Sequence, residues 1–193
     1  MSPQFDGIFN LNKPPGMTSH DVVNLVRRLS GQRRVGHAGT LDPSAEGVLL
    51  ICIGKATKVV EYLTNDTKAY RAEITLGVST DTYDAEGRVT KRSPSLHVSL
   101  PNIEAILSDF RGTIVQVPPA YSAIKRAGQP LYKLARAGID VSPEPRQVTI
   151  YRLELLAWRP PVLSLYVECS KGTYIRSVAH DLGERLSCGA HLS

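Results

Sequence analysis

The order of apolar and polar positions along the chain predicts strands and helices in alternation. Residues 7–13 and 70–78 alternate apolar with polar side chains, which is typical of strands with one buried face. Residues 48–53 form a short apolar run, which predicts a fully buried strand. The other predicted strands are residues 113–117, 147–158 and 162–169, with a corner at Pro160-Pro161 between the last two.

Apolar residues at helical spacing predict three main helices. Thr18 or Ser19 caps the first, Gly31 ends it, and Thr173 caps the third. The second covers residues 102–110, and a shorter amphipathic helix is predicted at residues 56–63. The side chains predicted to face inward are Val22, Leu25, Val26 and Leu29 in the first helix, Ile103, Ile106 and Leu107 in the second, and Ile175, Val178, Ala179, Leu182 and Leu186 in the third.

The 193-residue chain has the composition of an ordinary globular protein, with 42% hydrophobic and 21% charged residues. We predict one domain over residues 1–193 with an insertion at about residues 120–146. No apolar stretch approaches the ~20 residues of a membrane span, and residues 1–6 lack a secretory signal. Three distant cysteines without a CxxC pair predict neither a disulfide framework nor a zinc site, and favour the reducing cytoplasm.

The net charge of +5 favours polyanionic partners such as nucleic acid. One basic cluster, at the end of the first predicted helix, is either a solvated helix end or a phosphate contact; it consists of Arg27, Arg28, Arg33 and Arg34. In residues 120–146, basic side chains interleave with Tyr121 and Tyr132. This pattern is typical of a mobile loop that binds nucleic acid, and it is also compatible with a surface hairpin and helix.

Two apparent ligand motifs fail in detail. Residues 54–57 lack the upstream glycine of a phosphate-binding loop, and Ala56 stands where Ser or Thr is required. Residues 80–87 have their glycine at the wrong offset for a calcium loop and lack its terminal Glu. We therefore interpret Asp81 and Asp84 as turn-forming side chains that bond nearby backbone.

The loop that precedes the buried strand holds the strongest candidate chemistry. It combines three glycines with His37 and Asp42 and leads directly into residues 48–53. Pro43 biases Asp42 toward an extended conformation, so the carboxylate lies on irregular chain beside a rigid strand, where catalytic groups are often placed. Considered alone, Asp42 before a proline is better explained as a turn residue.

Taken together, the motifs closely resemble the bacterial tRNA pseudouridine synthases of the TruB family. They follow the family's order over nearly the whole chain, which is far more specific than any single motif. They are residues 11–19 (LNKPPGMTS), 36–43 (GHAGTLDP), 68–71 (KAYR), 80–84 (TDTYD), 121–125 (YSAIK) and 170–177 (SKGTYIRS). The basic insertion also fits, because in the family it is a thumb-like segment that orders on RNA.

The resemblance implies an α+β pseudouridine synthase fold, with a mixed, mostly antiparallel central sheet flanked by helices. It implies isomerisation of uridine to pseudouridine at position 55 in the T-loop of tRNA, without cofactor, metal or guide RNA. The expected protein is a cytoplasmic monomer with no obligate protein partner. The family normally continues with another strand, and many members then carry a small RNA-binding PUA domain; we expect both to be absent from residues 1–193.

The resemblance also assigns the catalytic residues. Asp42 is the catalytic carboxylate, either as a nucleophile or as an aid to glycosidic cleavage, and Arg176 pairs with it and orients it. Tyr70 stacks on the target uracil, near the proton that leaves C5. Alone, Tyr70 is better explained as a core residue and Arg176 as a surface ion pair. Their joint occurrence in the family's motifs favours the catalytic interpretation.

The remaining site residues are implied to bind the substrate. Tyr174 lines the uracil pocket with Tyr70, and His37 contacts the RNA. Lys13 and Lys125 support the phosphate or the pocket. Two other functions stay open: a non-catalytic RNA-binding module that keeps the pocket, and the guide-RNA-dependent relative found in archaea and eukaryotes.

Overall fold

A computed structural model of the chain describes residues 5–94, 96–141 and 143–193. Residues 1–4 lie outside the described residues; they belong to the segment 1–6, in which no secretory signal is predicted. Ser142 of the predicted insertion also lies outside them. The chain forms two compact units, Met1–Asp66 and Thr67–Ser193. No helix in the described part of the chain is both long and apolar enough to cross a membrane.

The first unit is a three-stranded antiparallel sheet with one long helix. Its strands are β1 (Gly7–Lys13), β2 (Val35–Ala38) and β3 (Gly47–Ile53), with β3 in the middle. Helix α1 (Ser19–Ser30) begins at a capping box, where Thr18 Oγ1 accepts the Asp21 backbone N–H at 3.0 Å. Gly31 ends it at φ 67°, as predicted. The core consists of Val22, Val23, Val35, Leu49, Ile51 and Ile53.

One local prediction for this unit is wrong, and a second is confirmed only in part. Leu29, predicted to face inward, is 77% exposed, whereas Val23 is buried. The buried residues of α1 lie in its first turns, so its last turn extends beyond the core. The helix predicted at residues 56–63 is a 3₁₀ segment, Gly54–Val59, followed by α2 (Val60–Thr64). Thr57 Oγ1 donates to the Gly54 carbonyl at 2.8 Å, three residues back, which favours the tighter turn.

The second unit contains a five-stranded antiparallel sheet. In chain order its strands are β4 (Lys68–Leu76), β7 (Gly112–Gln116), β10 (Arg146–Arg159), β11 (Val162–Cys169) and β12 (Ala190–Leu192). They lie side by side as β12, β4, β11, β10 and β7. Two small hairpins pair β5 (Val78–Thr80) with β6 (Val89–Arg92), and β8 (Lys125–Arg126) with β9 (Gln129–Pro130).

The described part of the second unit also contains the helices α3 (Leu100–Asp109), α4 (Leu131–Arg136) and α5 (Ile175–Arg185). Ile103 and Leu107 of α3 are buried, as predicted, and so are Val178, Ala179 and Leu182 of α5. All five belong to one core with the sheet. A Cβ at Gly183 would collide with the backbone at Gly189 and Ala190, so this close approach requires glycine.

The start of α5 differs from the prediction. Thr173 does not cap the helix; its hydroxyl donates to the Ser170 carbonyl at 2.9 Å and closes the preceding turn. Tyr174 occupies the N-cap position and makes no side-chain cap bond. Arg176 and Ser177 are buried together with the apolar stripe, so α5 is enclosed on more than one side. The predicted α+β class and the mostly antiparallel strand pairing are confirmed.

Candidate active site

In the loop after β2, hydrogen bonds to the backbone of Leu41 and Pro43 hold the chain on both sides of Asp42. On one side, the Leu41 N–H donates to Ser19 Oγ at 3.0 Å, and Ser19 Oγ lies 3.3 Å from the Leu41 carbonyl. On the other side, the Pro43 carbonyl accepts the Gly16 N–H at 2.8 Å. Asp42 itself is half-buried. The backbone on either side of Asp42 is therefore held by contacts with the N-terminal part of the same unit.

Lys13, the last residue of β1, has a fully buried side chain. Its ammonium donates to three backbone carbonyls, those of Pro14 at 2.9 Å, Met17 at 2.7 Å and Pro43 at 3.2 Å. Burial lowers the pKa of the Lys13 ammonium, and the negative charge of Asp42 opposes that shift. Because all three donors are used, this geometry suits support of the loop better than contact with a phosphate.

Lys13→Met is expected to lower the free energy of unfolding by about 2–3 kcal/mol, because it leaves buried carbonyls without a donor. Urea unfolding measures the change. Lys55→Met is the control, since the Lys55 side chain is 84% exposed, and its stability should change by less than about 0.5 kcal/mol. Equal stability losses in the two variants would contradict a loop-holding role for Lys13.

His37 lies in β2, at the start of the same loop, and is half-buried. Its Nδ1 is 2.6 Å from the Gly39 carbonyl oxygen. Since a carbonyl only accepts, Nδ1 carries the hydrogen in this contact, and Nε2 is the ring nitrogen left for another partner. The hydrogen bond to Gly39 thus fixes the orientation of the His37 ring. The RNA contact predicted for His37 therefore depends on Nε2.

Arg176 lies in the first turn of α5 and is only 7% exposed. Its Nη1 donates to the Thr82 carbonyl at 3.2 Å, and its Nη2 donates to the Tyr121 carbonyl at 3.1 Å. Nη1 also lies 3.4 Å from Asp84 Oδ2, in an ion pair. This burial excludes the interpretation of Arg176 as a surface ion pair. One guanidinium therefore joins α5 to the acidic turn and to the start of the insertion.

Asp84 has a second role that sequence reasoning missed. Its Oδ1 accepts from Thr82 Oγ1 at 2.6 Å and from the Glu86 N–H at 3.1 Å, which confirms the predicted turn-forming role. Its Oδ2 faces Arg176, so the same carboxylate also balances a buried cation. In the sequence, only the acidic residues of this turn hinted at a charged partner. They do not identify Arg176, which lies far along the chain.

The aromatic candidates and Lys125 also lie in the second unit. The ring of Tyr174 is half-buried, and the Arg146 guanidinium lies 5.6 Å from its centroid. Tyr70 lies on β4, paired with Val167 of β11, and packs against the core while staying partly exposed. Lys125 is exposed on β8.

The predicted site residues divide between the two units. Lys13, His37 and Asp42 lie in the first unit, and Tyr70, Lys125, Tyr174 and Arg176 lie in the second. In the first unit the contacts above place Lys13 and His37 with Asp42 at the Asp42 loop; in the second, Tyr174 and Arg176 lie at the start of α5, while Tyr70 lies on β4 and Lys125 on β8. The pairing of Asp42 with Arg176 stays a prediction.

The cysteines do not offer a ready nucleophile. Cys52, Cys169 and Cys188 are free and buried, and burial raises the pKa of each thiol. A high thiol pKa keeps a cysteine protonated near neutral pH. Across the described ranges, no group of three His, Cys, Asp or Glu side chains is arranged to hold a metal ion.

The sequence matches a model of one protein family, described as TruB family pseudouridylate synthase (N terminal domain), over residues 27–175. A protein named tRNA pseudouridine synthase B in Symbiobacterium thermophilum is 53% identical over 98% of this chain and 64% of its own length. Its namesake in a Dehalococcoides mccartyi strain is 54% identical over 97% of this chain and 62% of its own length. The chain thus spans less than two thirds of these relatives.

Solved structures show the same fold. A chain in a Cbf5-Nop10-Gar1 complex is 34% identical, with a TM-score of 0.74 over 98% of this chain and 47% of that one. A chain in an H/ACA RNP bound to a substrate RNA containing 2′-deoxyuridine is 30% identical, with a TM-score of 0.70 over 97% of this chain and 45% of that one. The fold predicted from the sequence is confirmed by these likenesses.

Proposed function

Since the chain belongs to the TruB family of pseudouridylate synthases, we propose that it isomerises uridine to pseudouridine at position 55 in the T-loop of tRNA. The observation that carries the proposal is the Asp42 loop, in which Asp42 is half-buried and both of its neighbours, Leu41 and Pro43, are held by hydrogen bonds. A carboxylate with a fixed position can act on a bound nucleotide without first reorganising.

The proposed reaction exchanges one bond of the nucleotide for another. The bond from the ribose C1′ to N1 of uracil breaks, the base turns, and a bond from C1′ to C5 forms. The proton that leaves C5 is balanced by the proton gained at N1, so the product is an isomer. Asp42 serves the cleavage either by covalent attack or by stabilising the developing cation. No electrons leave the nucleotide, so the proposed chemistry calls on side chains alone.

The other residues take supporting roles in this proposal. Arg176 orients the Asp42 carboxylate. Tyr70 stacks on the flipped uracil, which returns about 1–3 kcal/mol of the cost of unstacking. Tyr174 lines the same pocket, and His37 contacts the RNA through Nε2. Lys13 holds the loop that carries Asp42.

Binding of tRNA is proposed to use the insertion with Lys125 and a basic recess at the end of α1. The recess measures about 520 Å³ and is lined by Arg27, Arg28, Gly31, Gln32 and Arg33. Arg27 donates to the Val35 carbonyl at 3.1 Å. Arg28 and Arg33 are exposed, and among the described residues neither side chain forms a hydrogen bond or an ion pair. Their charges are therefore available to RNA phosphates.

Replacing both residues, Arg28→Gln and Arg33→Gln, is expected to weaken tRNA binding by about tenfold at 0.1 M salt and to reduce the salt slope of log Kd by about 1.5. The rate at saturating tRNA should not change. Filter binding at several salt concentrations measures both quantities. The control is Lys91→Gln with Arg92→Gln, which removes the same charge from the exposed strand β6. Equal weakening by the two pairs would mean that net charge, and not this recess, matters.

The deciding experiment incubates the protein with unmodified tRNA transcript and maps any pseudouridine formed. Product at position 55 without added guide RNA supports a stand-alone tRNA enzyme that needs no protein partner. Binding without product would support a non-catalytic RNA-binding module instead. Product that requires a guide RNA would place the protein with the guide-dependent relatives. Sedimentation of the same sample tests the expected monomer.

A further inference from the structure

Helix α5 begins without a side-chain cap, although its first turn carries a buried arginine. Tyr174 occupies the N-cap position, and its side chain bonds none of the free N–H groups of the first turn. Arg176 nevertheless has donors directed at Thr82, Asp84 and Tyr121. A guanidinium shared among three acceptors requires a well-defined helix start, so some other contact must hold this end of α5 in place.

Gln116 supplies that contact from the end of β7. Its side chain is fully buried. Its Oε1 accepts the Tyr174 backbone N–H at 2.8 Å, and its Nε2 donates to the Tyr174 carbonyl at 3.1 Å. The amide thus pairs with both backbone groups of one residue, as a neighbouring strand would. The next residue, Val117, accepts a hydrogen bond from Ser177 Oγ at 2.7 Å.

These bonds bracket Arg176, because Tyr174 and Ser177 lie on either side of it along the chain. Their partners, Gln116 and Val117, are consecutive at the end of β7. A shift of the helix start would move the guanidinium relative to all of its acceptors at once. The joint between β7 and α5 is therefore in a position to control where Arg176 and the Tyr174 ring point.

We propose that Gln116 is a positioning residue for the reaction: it never touches the nucleotide, but its amide sets the start of α5 and so aims Arg176 and Tyr174. This inference rests on the proposed function. If Gln116 only stabilised the fold, its substitution would lower the free energy of unfolding and leave the rate at saturating tRNA unchanged. A positioning role makes it matter for the rate at saturating tRNA, because misplacement of a catalytic group by about 1 Å costs up to about 100-fold.

The test compares Gln116→Met with a control of similar burial. Methionine matches the length of glutamine and fills the same space, but it can pair with neither backbone group of Tyr174. Ile103→Val is the control, because Ile103 is fully buried in the same core on α3, away from the joint. Gln116→Asn is a milder variant, since its shorter amide reaches at most one of the two Tyr174 groups.

Three quantities are measured well below the unfolding temperature of every variant: amide hydrogen exchange across residues 173–180, the affinity for tRNA, and the single-turnover rate at saturating tRNA. Gln116→Met should lose protection in residues 173–180, lower the rate about 30-fold and keep the affinity within about threefold. Gln116→Asn should lower the rate about fivefold. Ile103→Val should leave the rate within about twofold and the protection intact.

The proposal is overturned if Gln116→Met reacts as fast as Ile103→Val, or if residues 173–180 keep their protection. Should Gln116→Met fail to fold, an unchanged rate in Gln116→Asn overturns it equally. A wild-type chain that forms no pseudouridine would overturn the proposed function and not the joint, because hydrogen exchange tests the joint without any reaction.

Discussion

Asp42→Asn is expected to abolish pseudouridine formation while leaving the affinity for tRNA within a few fold. Asparagine keeps the size of aspartate but loses its negative charge, so it can neither attack the nucleotide nor stabilise a developing cation. The single-turnover rate at saturating tRNA should fall by about 10⁴-fold. Because the loop is held through Leu41 and Pro43, the unit should stay folded.

The matched control for this substitution is Glu46→Gln. Glu46 is an exposed carboxylate at the end of the same loop, just before β3. Its loss removes the same charge from the same segment, and the rate should stay within about twofold. If Asp42→Asn forms product at the wild-type rate, Asp42 is not the catalyst. Thermal unfolding of both variants separates a lost reaction from a collapsed loop.

Arg176→Lys is expected to lower both the stability and the rate. Lysine keeps the positive charge but offers one compact ammonium where arginine spreads its donors over Thr82, Tyr121 and Asp84. A buried carbonyl left without its donor costs about 1–3 kcal/mol of unfolding free energy. The single-turnover rate should fall about 100-fold, because the proposed partner of Asp42 is displaced.

Arg185→Lys serves as the control on the same helix. Arg185 pairs with Asp109 at 3.0 Å, and the two side chains are 50% and 63% exposed. Exposed pairs contribute little, so the unfolding free energy should change by less than about 1 kcal/mol and the rate should not change. Urea unfolding and single-turnover assays measure both variants. If Arg176→Lys changes the unfolding free energy and the rate as little as Arg185→Lys does, the contacts of Arg176 with Thr82, Tyr121 and Asp84 are needed neither for stability nor for the reaction.

Several predictions that depended on residues close in sequence are confirmed. The start of α1 follows from Thr18 and Asp21, three positions apart, and its end follows from Gly31. The corner between β10 and β11 follows from Pro160-Pro161. In each case the decisive hydrogen bond or dihedral restriction lies within one turn of the chain, so a short stretch of sequence contains it.

Predictions that depended on packing failed where two outcomes look alike in the sequence. The apolar spacing of α1 includes Leu29, but the core ends before the last turn and leaves that side chain in solvent. A local prediction also failed at Thr173, because its hydroxyl donates to the Ser170 carbonyl three residues back instead of capping α5. Periodicity specifies a face of a helix, and it does not specify how far along the helix its neighbours extend.

The amino-acid order showed the family and predicted where the chemistry lies. Several motifs in the family's order single out Asp42, Tyr70 and Arg176, and the roles of these residues stay a prediction. Only the folded chain assigned the partners: three carbonyls around Lys13, Asp84 beside Arg176, and Gln116 on the backbone of Tyr174. These contacts join residues far apart along the chain, and no local pattern specifies which buried donor meets which acceptor.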